Sequence, residues 1–172
     1  SLLFSKYLPY CPGMKVLDLG CGPGTCAYLF RSSDYVGLDI DQSYIRFAQS
    51  KYPDHRFILG DLGSDTTIAG DSNSFDLIFC YGLFHHLDDA TAKLFMDTSY
   101  KLLNTGGKMV CFDGCLHDNQ SIASRKITLS DRGKYIRAVD DLVGIAIQSG
   151  FNVNASLEDS IYAIPYSLLV LN

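Results

Sequence analysis

Apolar and polar residues alternate along this chain in blocks of two kinds. Short apolar runs at 15–19, 35–39, 56–59, 75–80 and 108–113 read as strands. The run at 75–80 is apolar but for one acid, the pattern of a strand covered on both faces. Stretches with apolar residues at helical spacing lie between the runs. A short one covers 25–31. The next opens at Asp41 or Ser43, either of which suits an N-cap, and buries Ile45 and Ala48. A third opens at Asp88 or Asp89 and places Leu94, Phe95, Thr98 and Leu102 on one stripe before Asn104-Thr105-Gly106-Gly107 breaks it. A fourth, over 138–149, carries Val139, Leu142, Val143 and Ala146 and stops at Gly150. The tail offers two more strands, at 151–158 and 161–171, joined as a hairpin. Strands alternating with helices predict βαβ units, hence an α/β fold with a mostly parallel sheet and helices on both faces.

Composition narrows the class. A chain of 172 residues with 47% hydrophobic and 19% charged residues is expected to form a single domain with a substantial core, and its composition argues against disorder. No apolar run reaches the length of a membrane span, and Ser1-Leu2-Leu3-Phe4-Ser5-Lys6 lacks the order of a signal peptide. The net charge is −5 and no basic block is present, which argues against a nucleic-acid acceptor. None of the six cysteines forms a C-x-x-C pair, so reduced thiols and a cytoplasmic location are the default expectation.

The densest chemical pattern is Val16-Leu17-Asp18-Leu19-Gly20-Cys21-Gly22-Pro23-Gly24. An apolar strand leads to an acid, then to three glycines on alternate positions, then to a helical stretch. Backbone without side chains at the carboxyl end of the first strand lets a nucleotide-like cofactor lie against it. Dehydrogenases space these glycines G-x-G-x-x-G; here the spacing is G-x-G-x-G, with Asp18 two residues before the first. This resembles motif I of the class I S-adenosylmethionine-dependent methyltransferases. The resemblance covers a core at 14–113 and implies a seven-stranded, Rossmann-like sheet closed by an antiparallel hairpin.

It also implies S-adenosyl-L-methionine as cofactor, with S-adenosyl-L-homocysteine as product. That cofactor has no phosphate, so acids and amides must hold it. The residues themselves place an acid at each of three predicted strand ends: Asp18, Asp39 and Asp61. By resemblance, Asp39 would accept both ribose hydroxyls and Asp61 the adenine amino group. Ile40 and Leu62 would pack on the two faces of the ring, and Asp18 would favour the methionine ammonium. Gly20, Cys21, Gly22 and Gly24 would form the loop, and the backbone of Cys80 and Tyr81 would flank the methionine end. Read locally, Asp61 is a turn residue and Asp18 binds loop amides.

The implied reaction is in-line displacement at a methyl carbon bonded to a sulfonium, which needs alignment and exclusion of water. His85 and His86, in Phe84-His85-His86-Leu87 after the fourth strand, are candidate bases; the same segment also reads as a structural helix start. Tyr81, Asp113 and His117 are further candidates. Residues 115–137 exceed an ordinary strand–helix connection and suggest a lid or acceptor pocket. Arg132, Tyr135 and Arg137 there would recognise an anionic acceptor, or belong to a solvated loop bridging to Asp140 and Asp141. No His/Asp metal cluster is apparent at the strand ends, so no metal is expected. Cys80-Tyr81-Gly82-Leu83 replaces the Asn/Asp-Pro-Pro-Tyr-type motif of amino-directed nucleic-acid enzymes. The expected acceptor is a small molecule, or a sugar or lipid precursor. Rival readings are a nicotinamide-dependent oxidoreductase and a non-catalytic methyltransferase-like scaffold. About a dozen residues precede the first strand, where relatives carry a longer helical segment. A truncated chain, a more exposed cofactor, or cover by residues 2–10 would each account for this.

Overall fold

The structure, a computed structural model, describes residues 8, 12–64, 70, 72–158 and 165–172. Its strands are β1 (Lys15–Leu19), β2 (Asp34–Asp39), β3 (Arg56–Leu59), β4 (Phe75–Tyr81), β5 (Leu103–Leu116), β6 (Arg137–Ala138), β7 (Val153–Glu158) and β8 (Tyr166–Leu171). Its helices are α1 (Gln42–Lys51), α2 (Asp89–Leu102), α3 (Ile122–Leu129) and α4 (Val139–Gln148), with 3-10 turns at Ala27–Phe30 and Phe84–His86. The sheet order is β3-β2-β1-β4-β5-β8-β7, with β6 paired to the end of β5. Strands β1 to β5 run parallel, and β8 returns antiparallel to both β5 and β7. The chain therefore winds one way from β1 to β3 and the other way from β4 to β5. The crevice between the ends of β1 and β4 is a topological switch point, where open α/β sheets bind ligands.

Side-chain alternation builds two cores, one on each face. Along β1 and β4, Leu17, Leu19, Ile78 and Cys80 join the core under α2 and α4, with Phe95, Met96, Leu142 and Ala146. Val16, Leu77 and Phe79 point the other way, to Phe30, Ile45, Ala48 and Phe57. Each fully buried leucine or phenylalanine contributes about 1.5–3 kcal/mol, so the strands that carry the site are held from both sides. Caps fix the helix starts. The Asp41 carboxylate accepts from the Ser43 and Tyr44 amides at 2.7 and 3.2 Å. Asp88 accepts from the Thr91 amide at 2.8 Å.

Three sequence expectations change. Residues 25–31 yield only a 3-10 turn at Ala27–Phe30 rather than a helix. Residues 104–107 do not separate α2 from its strand: β5 already pairs at Leu103 with Phe75, and the register shifts before Leu77 meets Lys108, so the glycines are absorbed as a bulge. Within 115–137, residues read from sequence as a long connection, Ser121 caps the helix α3 by accepting from the Ser124 amide at 3.1 Å. Residues 2–10, expected as a possible cover, lie outside the described residues apart from Leu8, as do 161–164 of the tail. Among the described residues no helix is long and apolar enough to cross a membrane.

Candidate functional site

The glycine loop sits at the switch point. The Gly20 and Cys21 amides both donate to the Leu38 carbonyl, at 2.9 and 3.1 Å, tying the loop to the end of β2. Gly20 and Gly22 have φ of 68° and 53°, a left-handed conformation that side chains resist. A Cβ at Gly20 would lie 2.9 Å from Leu83 Cδ1, so this position also needs the close approach. A Cβ at Gly22 would meet no protein atom within 4 Å. Gly22 therefore leaves open space at the loop surface, which suits a cradle for a bound group. A cavity of about 160 Å³ opens here, lined by Asp18, Gly20, Cys21, Gly22, Thr25, Cys26 and Tyr81.

Asp39 closes the loop onto α1. Its Oδ2 accepts from the Gly22 amide at 2.7 Å, and its Oδ1 from the Asp41 amide at 2.9 Å. Each carboxylate oxygen keeps a further lone pair. Asp18 is buried on the same face and accepts from the Tyr35 hydroxyl at 2.7 Å. Burial pushes its pKa up to about 7; the Tyr35 bond opposes the shift and the charge of Asp39 adds to it. Tyr35 is raised too, by burial and by Asp18. Burial and Asp18 lift the Cys26 thiol to about 12, so it is no nucleophile at neutral pH. Cys21 shifts the same way.

The adenosine-side expectations divide. Ile40 is 72% exposed at the end of β2, where it can cover a planar ring. Leu62, expected on the opposite face of that ring, is corrected: its side chain is 1% exposed and lies in the core with Phe95 and Ala92, so it offers no surface to a ligand. Asp61 forms its own turn, its Oδ1 accepting from the Gly63 amide at 2.8 Å. The Cys80 side chain is buried beside Cys111, its partner across β4 and β5, which leaves only its backbone for the cofactor end. Tyr81 lines the cavity and stacks on Tyr166 at 5.9 Å and 11°. Gly24 is left-handed, φ 73°, where the loop meets the 3-10 turn.

A second group gathers beyond β4 and β5. The buried Asp113 accepts from the Phe84 and His85 amides and bonds His85 Nδ1. His85 Nε2 faces Asp131 Oδ1 at 3.2 Å. Burial disfavours charge on His85, but Asp113 and Asp131 outweigh it and raise its pKa. Burial and His85 lower that of His86. The loop after α3 presses onto this pair: a Cβ at Gly133 would fall 2.0 Å from His85 Cδ2. The space enclosed by Gly82, His85, Asp131 and Tyr166 among others is only about 30 Å³.

One expectation about this region is corrected. Arg137 is not free to bind an acceptor. Its five N–H donors reach the Phe84, Leu87 and Tyr135 carbonyls and, twice, Asp89 Oδ1, at 2.6 to 3.0 Å, which exhausts a guanidinium. Arg132 and Tyr135 remain exposed. The fold also brings Asp131 to His85 and His86, a grouping of side chains that the sequence reading did not anticipate. Tyr35 and Asp131 are the residues sequence reasoning missed. Tyr35 faces the same side as Asp18 through the β1–β2 register; Asp131 was hidden among the cations that follow it.

Residues 16–107 match the family model described as a methyltransferase domain. A phosphoethanolamine N-methyltransferase of Triticum aestivum is 28% identical over 153 residues, which are 87% of this chain and 30% of that protein. The chain thus spans about 30% of the length of that relative. A ubiquinone biosynthesis O-methyltransferase of Psychrobacter arcticus is 29% identical over 158 residues, covering 81% of this chain and 59% of the relative. Among solved structures, phosphoethanolamine N-methyltransferase 2 of Haemonchus contortus, in complex with phosphomonomethylethanolamine and S-adenosylhomocysteine, superposes with a TM-score of 0.79. Sequence identity there is 16%, with 99% of this chain and 51% of the other covered, so that likeness concerns the fold.

Proposed function

The chain belongs to the methyltransferase-domain family, within the class I S-adenosylmethionine-dependent methyltransferases, and from that premise we propose that it transfers a methyl group from S-adenosyl-L-methionine to a small-molecule acceptor. The observation that carries this reading is the glycine loop: left-handed at Gly20 and Gly22, open above Gly22, and flanked by Asp18 and Asp39. These residues fit the cofactor's chemistry. Asp18 would take the methionine ammonium, which favours its ionised form. Asp39 would use its remaining lone pairs on the ribose hydroxyls. Ile40 would cover the adenine, and the Cys80–Tyr81 backbone would border the methionine end. When bound, the cofactor supplies a methyl group made electrophilic by its sulfonium. The chain's own part is to align the acceptor and keep water out.

The names of the two relatives point to small acceptors, and the absence of a basic block from a chain of charge −5 agrees. The narrow space beside His85 requires the 131–135 loop to move before an acceptor enters by that side. Calorimetric titration with S-adenosylhomocysteine, followed by radiolabelled methyl transfer across small-molecule pools, tests the reading. Saturable binding with transfer is expected. No binding overturns the proposal, and tight binding without transfer to any pool favours the scaffold alternative.

A further inference from the structure

We propose that His85, His86 and Asp131 form a binding site for a divalent transition cation, with zinc the ion their donors best suit. One ligand atom from each lies within 4.8 Å of the others. The closest pair, His85 Nε2 and Asp131 Oδ1, is 3.2 Å apart. Two ligands of a tetrahedral ion with bonds of about 2.0–2.1 Å are separated by about 3.3 Å, so this edge is already formed. Two imidazoles and a carboxylate match zinc in softness, and three protein ligands leave a fourth position for water or an acceptor oxygen.

A second, independent feature is the support behind His85. Asp113, buried at the end of β5, bonds Nδ1 of that ring and also receives the Phe84 and His85 amides. A carboxylate on the far nitrogen fixes the tautomer and turns the Nε2 lone pair toward the ligand, as around metal-bound histidines generally. Without an ion, Nε2 can face Asp131 only by carrying a proton; a cation takes that proton's place. Asp131 is aimed as well, its Oδ1 held by the Gly133 amide at 2.8 Å. The His86 ring lies 4.1 Å from that of His85, centroid to centroid. The charge of Arg132, an exposed residue, also acts on this cluster.

The site joins two separate parts of the chain. His85 and His86 follow β4, and Asp131 precedes β6. An ion here would pin the 131–135 loop over the narrow space beside Tyr166. The proposal stands independently of the methyl-transfer reading, since none of these side chains lines the glycine-loop cavity.

The test is zinc chloride titration of the chelator-treated protein by calorimetry and equilibrium dialysis, on wild type, His86→Ala and Asp131→Asn. One zinc per chain is expected, with affinity at least about 10-fold weaker in both variants, the scale on which metal sites lose affinity when their support is altered. Far-ultraviolet circular dichroism and thermal unfolding check that each variant remains folded. Cobalt(II) substitution should give a tetrahedral visible spectrum in wild type that both variants lose. A readout on wild type alone decides the matter should a variant misfold: zinc should slow amide exchange at His86 and Gly133. Absence of saturable zinc binding, unchanged affinity in either folded variant, or unchanged exchange at those amides overturns the proposal.

Discussion

Two carboxylates at the glycine loop do different work, and their environments say which. Asp39 is half-buried and already holds two amides; Asp18 is buried and bonded to Tyr35. Asp39→Ala should weaken S-adenosylhomocysteine binding by about 1.5–3 kcal/mol, the range for hydrogen bonds to a charged group, read by calorimetry. Part of that loss comes from releasing the Gly22 amide, so Asp39→Asn, which keeps an acceptor for it, should lose less. For Asp18 the sign follows from an acid whose folded pKa, about 7, exceeds its ordinary 3.8. Between those values the folded chain holds a proton that the unfolded chain has released. Folding stability therefore falls as pH rises through that window. Cofactor binding runs the opposite way, because an ammonium favours the ionised carboxylate. Affinity for S-adenosylhomocysteine should rise between about pH 6 and about pH 8, by at most about 10-fold per unit of pH. Asp18→Asn should flatten that dependence; an unchanged slope would place the proton elsewhere. Asp18 and Asp39 were legible from sequence because an acid at a strand end beside glycines is a local pattern. Leu62 was not, because whether that side chain stacks on a ligand or enters the core depends on Phe95, far along the chain.

At the scale of elements, boundaries were legible wherever local chemistry sets them. Strands β1 and β3 fall where the apolar runs do, and Asp41 and Asp88 cap the helices they precede. The start of β5 was not legible, because a glycine pair that ends a helix and one absorbed by a bulge look alike until Phe75 is seen opposite Leu103. The role of Arg137 was hidden for a similar reason: three of its acceptors are carbonyls, which no side-chain pattern reports. The arginine fastens β6 to the turn after β4 and to the start of α2. Arg137→Lys should therefore destabilise the fold by about 1.5–3 kcal/mol, since an ammonium has three donors and cannot span this set. Arg132→Ala, on an exposed side chain of the same loop, should stay within about 0.5 kcal/mol. Chemical denaturation of the two variants side by side checks the contrast. Equal losses would mean that the loop, rather than this one clamp, carries the stability.

At the scale of the molecule, the switch between β1 and β4 is what gives a loop of three glycines its meaning. Reversing the winding direction leaves the ends of two neighbouring strands without a helix crossing between them, and the cavity lies there. The residues expected to touch the cofactor come from the ends of β1, β2, β3 and β4. A molecule bridging four strand ends binds the folded sheet and not the unfolded chain, so it must shift the folding equilibrium. At one hundred times its dissociation constant, S-adenosylhomocysteine should stabilise the chain by about 2.7 kcal/mol. For a chain of this size that raises Tm by about 5–11 °C. A dinucleotide asks for something else at the same loop. Its pyrophosphate needs a helix N-terminus aimed at it, and the segment after this loop is a 3-10 turn with no capping side chain. Reduced nicotinamide dinucleotide at the same concentration should therefore leave Tm where it is. Thermal scans with each ligand separate the two cofactors in one experiment: a rise with the dinucleotide and none with S-adenosylhomocysteine would reverse the assignment of the cavity while leaving the sheet order untouched.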